Sequence, residues 1–156
     1  MIQRKQSLFL AISAISLLTL FFFPLATFIG NADSLVLYIY KLESLVPDHS
    51  PAFPQILILL LAVFTAIMFL ISIISIFIYK NRSLQVFLVK IGIILNLLII
   101  AAFFFYYVNT LEEATGAIVR YDVGTYLLLA AFVFFVLAYR GILSDEKLIR
   151  SADRLR

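Results

Sequence analysis

The run Ile91-Gly92-Ile93-Ile94-Leu95-Asn96-Leu97-Leu98-Ile99-Ile100-Ala101-Ala102-Phe103-Phe104-Phe105-Tyr106-Tyr107-Val108-Asn109-Thr110-Leu111 contains no charged residue. A helix crossing the roughly 30 Å hydrocarbon layer needs about 20 predominantly apolar residues, and this run has that length. Strands of a membrane barrel are shorter, about ten residues, and alternate apolar with polar. Ile91–Ile100 is apolar almost without interruption, so both faces of such a strand would be greasy and the helical reading wins. Three further charge-free stretches flank it: Gln6–Ala32, His49–Tyr79 with histidine counted neutral, and Val123–Tyr139. Together they predict four membrane spans, near 7–29, 53–79, 87–108 and 121–142.

Composition supports this reading. The chain has 156 residues, 64% apolar and 13% charged, and its mean hydropathy is +1.11. Soluble domains carry roughly a quarter charged residues, and a globule of this size has too little interior to hide so much apolar surface. The expected fold is an all-α integral membrane protein, a four-helix antiparallel transmembrane bundle forming one domain over residues 1–156.

The first span also has the outline of a secretion signal: Arg4 and Lys5, an apolar run, then Gly30-Asn31-Ala32. Signal peptides have apolar cores of about 7–15 residues. Ser7–Phe23 exceeds that and the stretch continues past Pro24, so retention as a membrane span is expected.

Orientation follows from basic residues, which stay on the cytoplasmic side. The amino-terminal segment, the link between spans two and three with Lys90 just inside span three, and the tail from Arg140 together hold ten of them; only Lys41 and Arg120 lie opposite, among Asp33, Glu43, Asp48, Glu112, Glu113 and Asp122. Both termini are therefore expected in the cytoplasm. The tyrosines sit near the proposed span ends or in the first outer loop, as amphipathic rings at an interface do.

The link Lys80-Asn81-Arg82-Ser83-Leu84-Gln85 is short and predicts a hairpin of neighbouring helices. The outer loop, Gly30–Ala52, is not hydrophilic. Its segment Ser34–Glu43 reads either as a strand or as an interfacial helical stripe of Leu35, Ile39, Leu42 and Val46; a small β ribbon pairing with Gly116–Arg120 is favoured. The tail 144–156 predicts a separate amphipathic helix capped by Ser144, with a basic stripe of Lys147, Arg150 and Arg154 suited to anionic headgroups or a partner.

Inside the spans the telling polar residue is Asn96. Gly92 lies one turn before it on the same face, so a neighbouring helix can approach closely and hydrogen-bond to the amide. Ser13, Ser16, Thr19, Ser72 and Ser75 are candidate partners, although such hydroxyls also bond back to their own helix. Pro24 is expected to bend span one. Lys90 is expected to snorkel outward and Asp122 to cap the fourth helix. Arg82, Arg150 and Arg154, with Asn96 and Gly92, are the candidate interaction and packing residues.

Many chemistries lack their residues. There is no cysteine and only one histidine, His49, which removes thiol catalysis, thiolate metal sites and paired histidine ligands for haem. No span interior holds a carboxylate for proton coupling, and there is no phosphate loop, nucleophile elbow or glycine fingerprint. No enzyme activity, cofactor, metal or nucleic-acid partner is expected.

Three segments carry a resemblance: Met1-Ile2-Gln3-Arg4-Lys5-Gln6-Ser7, Tyr79-Lys80-Asn81-Arg82-Ser83-Leu84-Gln85, and the tail from Leu137-Ala138-Tyr139-Arg140-Gly141-Ile142 through Asp145–Arg156. In these the chain resembles a bacterial family, of the Bacteroidetes lineage, catalogued as domain of unknown function 4293. Ser83 departs from the basic residue expected there. The resemblance implies a four-span protein of the inner membrane and carries over no catalytic residue. The expected role is a non-enzymatic accessory or assembly subunit of a membrane complex. A small solute or ion transporter or channel, and a lipid-binding protein, are the competing classes. The expected partners are the bilayer, anionic headgroups on the cytoplasmic face and a membrane protein.

Overall fold

The structure is a computed structural model that describes residues 5–30, 34–45 and 53–153. Apolar runs become helices because lipid offers no partner for a free peptide group and a helix satisfies its own. The elements in order are α1 (Lys5–Thr19), β1 (Ala26–Ile29), β2 (Ser34–Leu37), β3 (Leu42–Ser44), α2 (Gln55–Phe77), α3 (Arg82–Ala102), a π-helical segment (Phe103–Val108), α4 (Asn109–Thr115), β4 (Ile118–Tyr121) and α5 (Val123–Asp153). The π segment joins α3 to α4, giving one helical rod, Arg82–Thr115.

Four helical rods close into a ring. α1 packs on α5 and α2, and α3 packs on the same two neighbours. One end of the ring carries Lys5 and the α2–α3 turn; the other carries a small antiparallel sheet. The rods Gln55–Phe77, Arg82–Thr115 and Val123–Asp145 are long and apolar enough to cross a membrane. α1 has 15 residues and covers only about 22 Å at 1.5 Å per residue, less than a bilayer core.

That shortfall corrects the first span. The helix stops at Thr19, and residues 26–29 of the expected span form β1. Tight turns from Phe21 N–H to Leu18 and from Phe22 N–H to Thr19 wind the helix down. Pro24, where only a bend was expected, keeps the chain from resuming a helix, because its preceding residue is pushed out of helical backbone. Past the proline, Ala26–Ile29 finds strand partners on both sides.

The β ribbon exists, and the interfacial-helix alternative for Ser34–Glu43 does not. Its topology differs from the expectation. The sheet order is β3-β2-β1-β4, so β4 pairs with β1, Thr27 opposite Arg120 and Ile29 opposite Ile118, and never meets β2. β2 and β3 form a hairpin whose turn closes from Tyr38 N–H to the Lys41 carbonyl at 2.8 Å. Lys41 and Glu43 form an ion pair beside it. The hydrogen bond to Glu43 holds the Lys41 ammonium above its ordinary pKa, so Lys41 keeps its charge through neutral pH. Both groups are exposed, and such pairs contribute little.

Two boundaries shift because of local chemistry. α3 starts at Arg82 rather than near 87, since Asn81 caps it by accepting the Leu84 N–H at 3.3 Å; Arg82 and Gln85 are helical rather than loop residues. α5 runs unbroken to Asp153, so no separate tail helix begins at Ser144. Nothing between Arg140 and Asp153 breaks a helix except Gly141, which packs against Gln6 of α1. Arg150 lies on this continuous helix, and Arg154 lies outside the described residues.

Sheet and bundle share one core. The inner sheet face buries Phe28, Leu35 and Leu37 against a cluster that includes Phe103, Val108 and Leu111. The backbone at Pro24–Leu25 ties it together. Leu25 N–H donates to Leu37 at 2.7 Å, Asp122 N–H to Leu25 at 2.9 Å, and Gly124 N–H to Pro24 at 2.8 Å. The Thr125 hydroxyl also reaches the Leu25 carbonyl, at 2.7 Å.

Candidate functional site

The interior of the bundle holds its polar groups in two layers. The first lies at the turn end. Ser72 on α2 donates to the Leu10 carbonyl of α1 at 2.7 Å, which sets those positions level. One turn towards the turn end, antiparallel geometry brings Gln6 of α1 level with Ser75 of α2. The Gln85 amide of α3 donates to the Ser75 carbonyl at 2.9 Å, and Gln6 packs on Gly141 of α5. Gln6, Ser75 and Gln85 are all buried, and among the described residues Gln6 Oε1, Ser75 Oγ and Gln85 Oε1 have no hydrogen-bond partner. Arg82, one turn before Gln85 on the same face, also has a buried Nη1 with no partner among the described residues.

The second layer is at mid-bundle. Gly92 faces the Phe135 ring of α5, so closely that an added Cβ would stand 2.8 Å from its Cε1. One turn on, Asn96 is level with Ala131, whose carbonyl accepts the Ser13 hydroxyl of α1 at 3.4 Å. What meets the Gly92 side of this face is a side chain, the Phe135 ring. The expected hydrogen bond to the amide is missing: Asn96 is fully buried, and neither its Nδ2 nor its Oδ1 has a partner among the described residues. The large Phe135 ring fills the space beside Gly92. Ser16 and Thr19 bond back to Ile12 and Ile15 of their own helix.

This packing makes a paired prediction. Gly92→Ala should destabilise the bundle by about 1–3 kcal/mol through overpacking. Phe135→Leu in the same chain should restore part of that loss by removing the clashing ring. Thermal unfolding of both variants in detergent checks the coupling; a strictly additive double variant would remove the contact as its cause.

Other expected positions are plain. Lys90 is exposed, with its Nζ 5.8 Å from the Tyr139 ring centroid, as snorkelling requires. Asp122 precedes α5, and its carboxylate accepts the Thr27 hydroxyl at 2.5 Å. Thr27 and Thr125 were missed by sequence reasoning; hydroxyls flanking Pro24 and following Asp122 are the signal that marks this joint. Gln6 and Gln85 were missed because polarity at a span end reads as loop.

The outer flank carries a groove. Between α2 and α3 an open cavity of about 350 Å³ is lined by Leu60, Leu61, Phe64, Leu98, Ile99 and Tyr107, among others. The π segment forms one wall and brings the Tyr107 hydroxyl onto the Leu57 carbonyl at 2.5 Å. π turns often mark functional positions in long helices. Among the described residues no cluster of three His, Cys, Asp or Glu side chains could hold a metal ion.

Comparison with curated proteins and with solved structures gives no match. The family described as Domain of unknown function (DUF4293) matches residues 2–155. Because that match spans nearly the whole chain, bundle and sheet together, the protein belongs to the DUF4293 family.

Proposed function

We propose that the protein is a four-pass inner-membrane protein with both termini in the cytoplasm, serving as a non-enzymatic accessory or assembly subunit of a membrane complex. The observation that carries this reading is the α2–α3 groove. Helices associate in lipid chiefly by packing, because lipid tails are as apolar as the helices themselves. A concave apolar surface beside a π turn receives a side chain from a partner helix better than a smooth rod does. The basic turn end, with Lys80 and Arg82, suits anionic headgroups of the cytoplasmic leaflet.

Purification in a gentle detergent tests the reading. A stoichiometric partner should co-elute with the native chain and be lost with Leu98→Trp, which fills the groove from an exposed position and should leave thermal stability unchanged. Native protein that elutes alone, or a partner retained by the variant, contradicts it. A reporter fused to the carboxyl terminus should be confined to the cytoplasm.

The unpaired Asn96 amide favours a second reading, passage of a small polar solute through the bundle. Solute flux in liposomes that disappears with Asn96→Leu would support it over the first.

A further inference from the structure

We infer that the turn end of the bundle is a water-binding vestibule, bounded by Gln6, Ser75, Arg82 and Gln85 and closed on its inner side by the Phe135 ring. The inference is independent of the accessory-subunit reading. Three helices place Gln6, Ser75 and Gln85 at one level, with Arg82 one turn further out on α3, and their chemistry is complementary to water in both senses. Gln6 Oε1 and Gln85 Oε1 can only accept, the Arg82 Nη1 can only donate, and the Ser75 hydroxyl does either. All four atoms are buried without a partner among the described residues. A ligand that satisfied them must both donate and accept at small size, which describes water and not a simple cation or anion. Left dry, each group bears the full desolvation penalty of an unmade bond, larger for the charged guanidinium. Internal waters typically make about three hydrogen bonds to such groups.

Location supports the same conclusion. Gln85 is one turn, about 5 Å, inside the start of α3, at the level where Lys80 and Arg82 require aqueous contact. Going inward, the next positions on α1, α3 and α5 are apolar and fully buried, Leu10, Val89 and Phe135, and Ser72 of α2, level with Leu10, is already committed to the Leu10 carbonyl. Phe135, seated on Gly92, stands between this layer and Asn96. The other end of the bundle is shut by Phe28, Leu35 and Leu37 of the sheet. The vestibule is therefore one-sided.

The chain contains no cysteine, so single substitutions report access directly. Ser75→Cys and Gln85→Cys should react with a small hydrophilic thiol reagent at least roughly tenfold faster than Met68→Cys, the buried apolar control on α2. Asn96→Cys should react as slowly as that control. Equal, slow rates at positions 68, 75 and 85 would overturn the vestibule. A fast Asn96→Cys would overturn its closure by Phe135. The unsubstituted protein supplies a second measurement: the side-chain amide protons of Gln6 and Gln85 should show magnetisation exchange with water by NMR in detergent, and its absence at both would also overturn the inference.

Discussion

Alanine at position 124 is expected to prise the sheet away from the bundle and to cost about 3 kcal/mol or more of stability, the upper range of overpacking losses. The added methyl would point into the Pro24 carbonyl, with the carbonyl carbon 2.8 Å away and the Leu25 Cα 3.1 Å away. Those are backbone atoms, and they are already committed. Pro24 accepts from Gly124 N–H, while Leu25 bonds to Leu37, Asp122 and Thr125. No side chain can swing aside to make room. For a chain of this size each kcal/mol shifts the midpoint by roughly 2–4 °C, so thermal unfolding should register a fall of roughly 6–12 °C. Gly116→Ala is the informative contrast. Gly116 has φ +59° and no atom within 4 Å of an added Cβ, so its cost is conformational, about 1–2 kcal/mol. If the two variants melt together, close approach at Gly124 is not the determinant.

Phe28→Ala should be nearly as damaging, with a loss of about 3–5 kcal/mol. Phe28 is fully buried in β1, the strand with partners on both sides, and its ring joins the sheet to the cluster around Phe103 and Leu111. Truncation leaves a cavity that the flanking strands cannot collapse into, because their register is held by β1 itself. The expected readout is a lower unfolding midpoint; a change near zero would mean that the sheet is held by its backbone ties alone. Combined with Gly124→Ala the loss should be less than the sum, since both act on one joint.

Legibility of the fold in the sequence varied with the physics involved. Ile91–Leu111 declared its helix because length and absence of charge are sufficient in lipid. Residues 26–29 did not declare a strand. Ala-Thr-Phe-Ile is as apolar as the helix before it, and a short apolar run bounded by a proline reads equally as buried strand or helix end; the decision was made by β2 and β4, distant in sequence. Arg82 and Gln85 were misplaced into a loop because polarity outweighed the Asn81 cap signal, which is local and could have been read. The tail looked like a new helix because its composition changes at Ser144, yet a change of composition does not interrupt a hydrogen-bond ladder. Of the candidate residues, Gly92 and Asn96 lie together on the buried face as expected, and only the amide's lack of a partner could not be read, since it depends on how the other helices seat.

The unbroken course of α5 has a mechanical consequence. Its 31 residues extend about 46 Å, well beyond the roughly 30 Å hydrocarbon layer. The surplus is a lever arm whose fulcrum lies among α1 and α3 and whose short end is the clasp at Gly124 and Thr125. A torque applied at its Asp153 end would be delivered to the strands at the other end of the bundle without any intervening hinge.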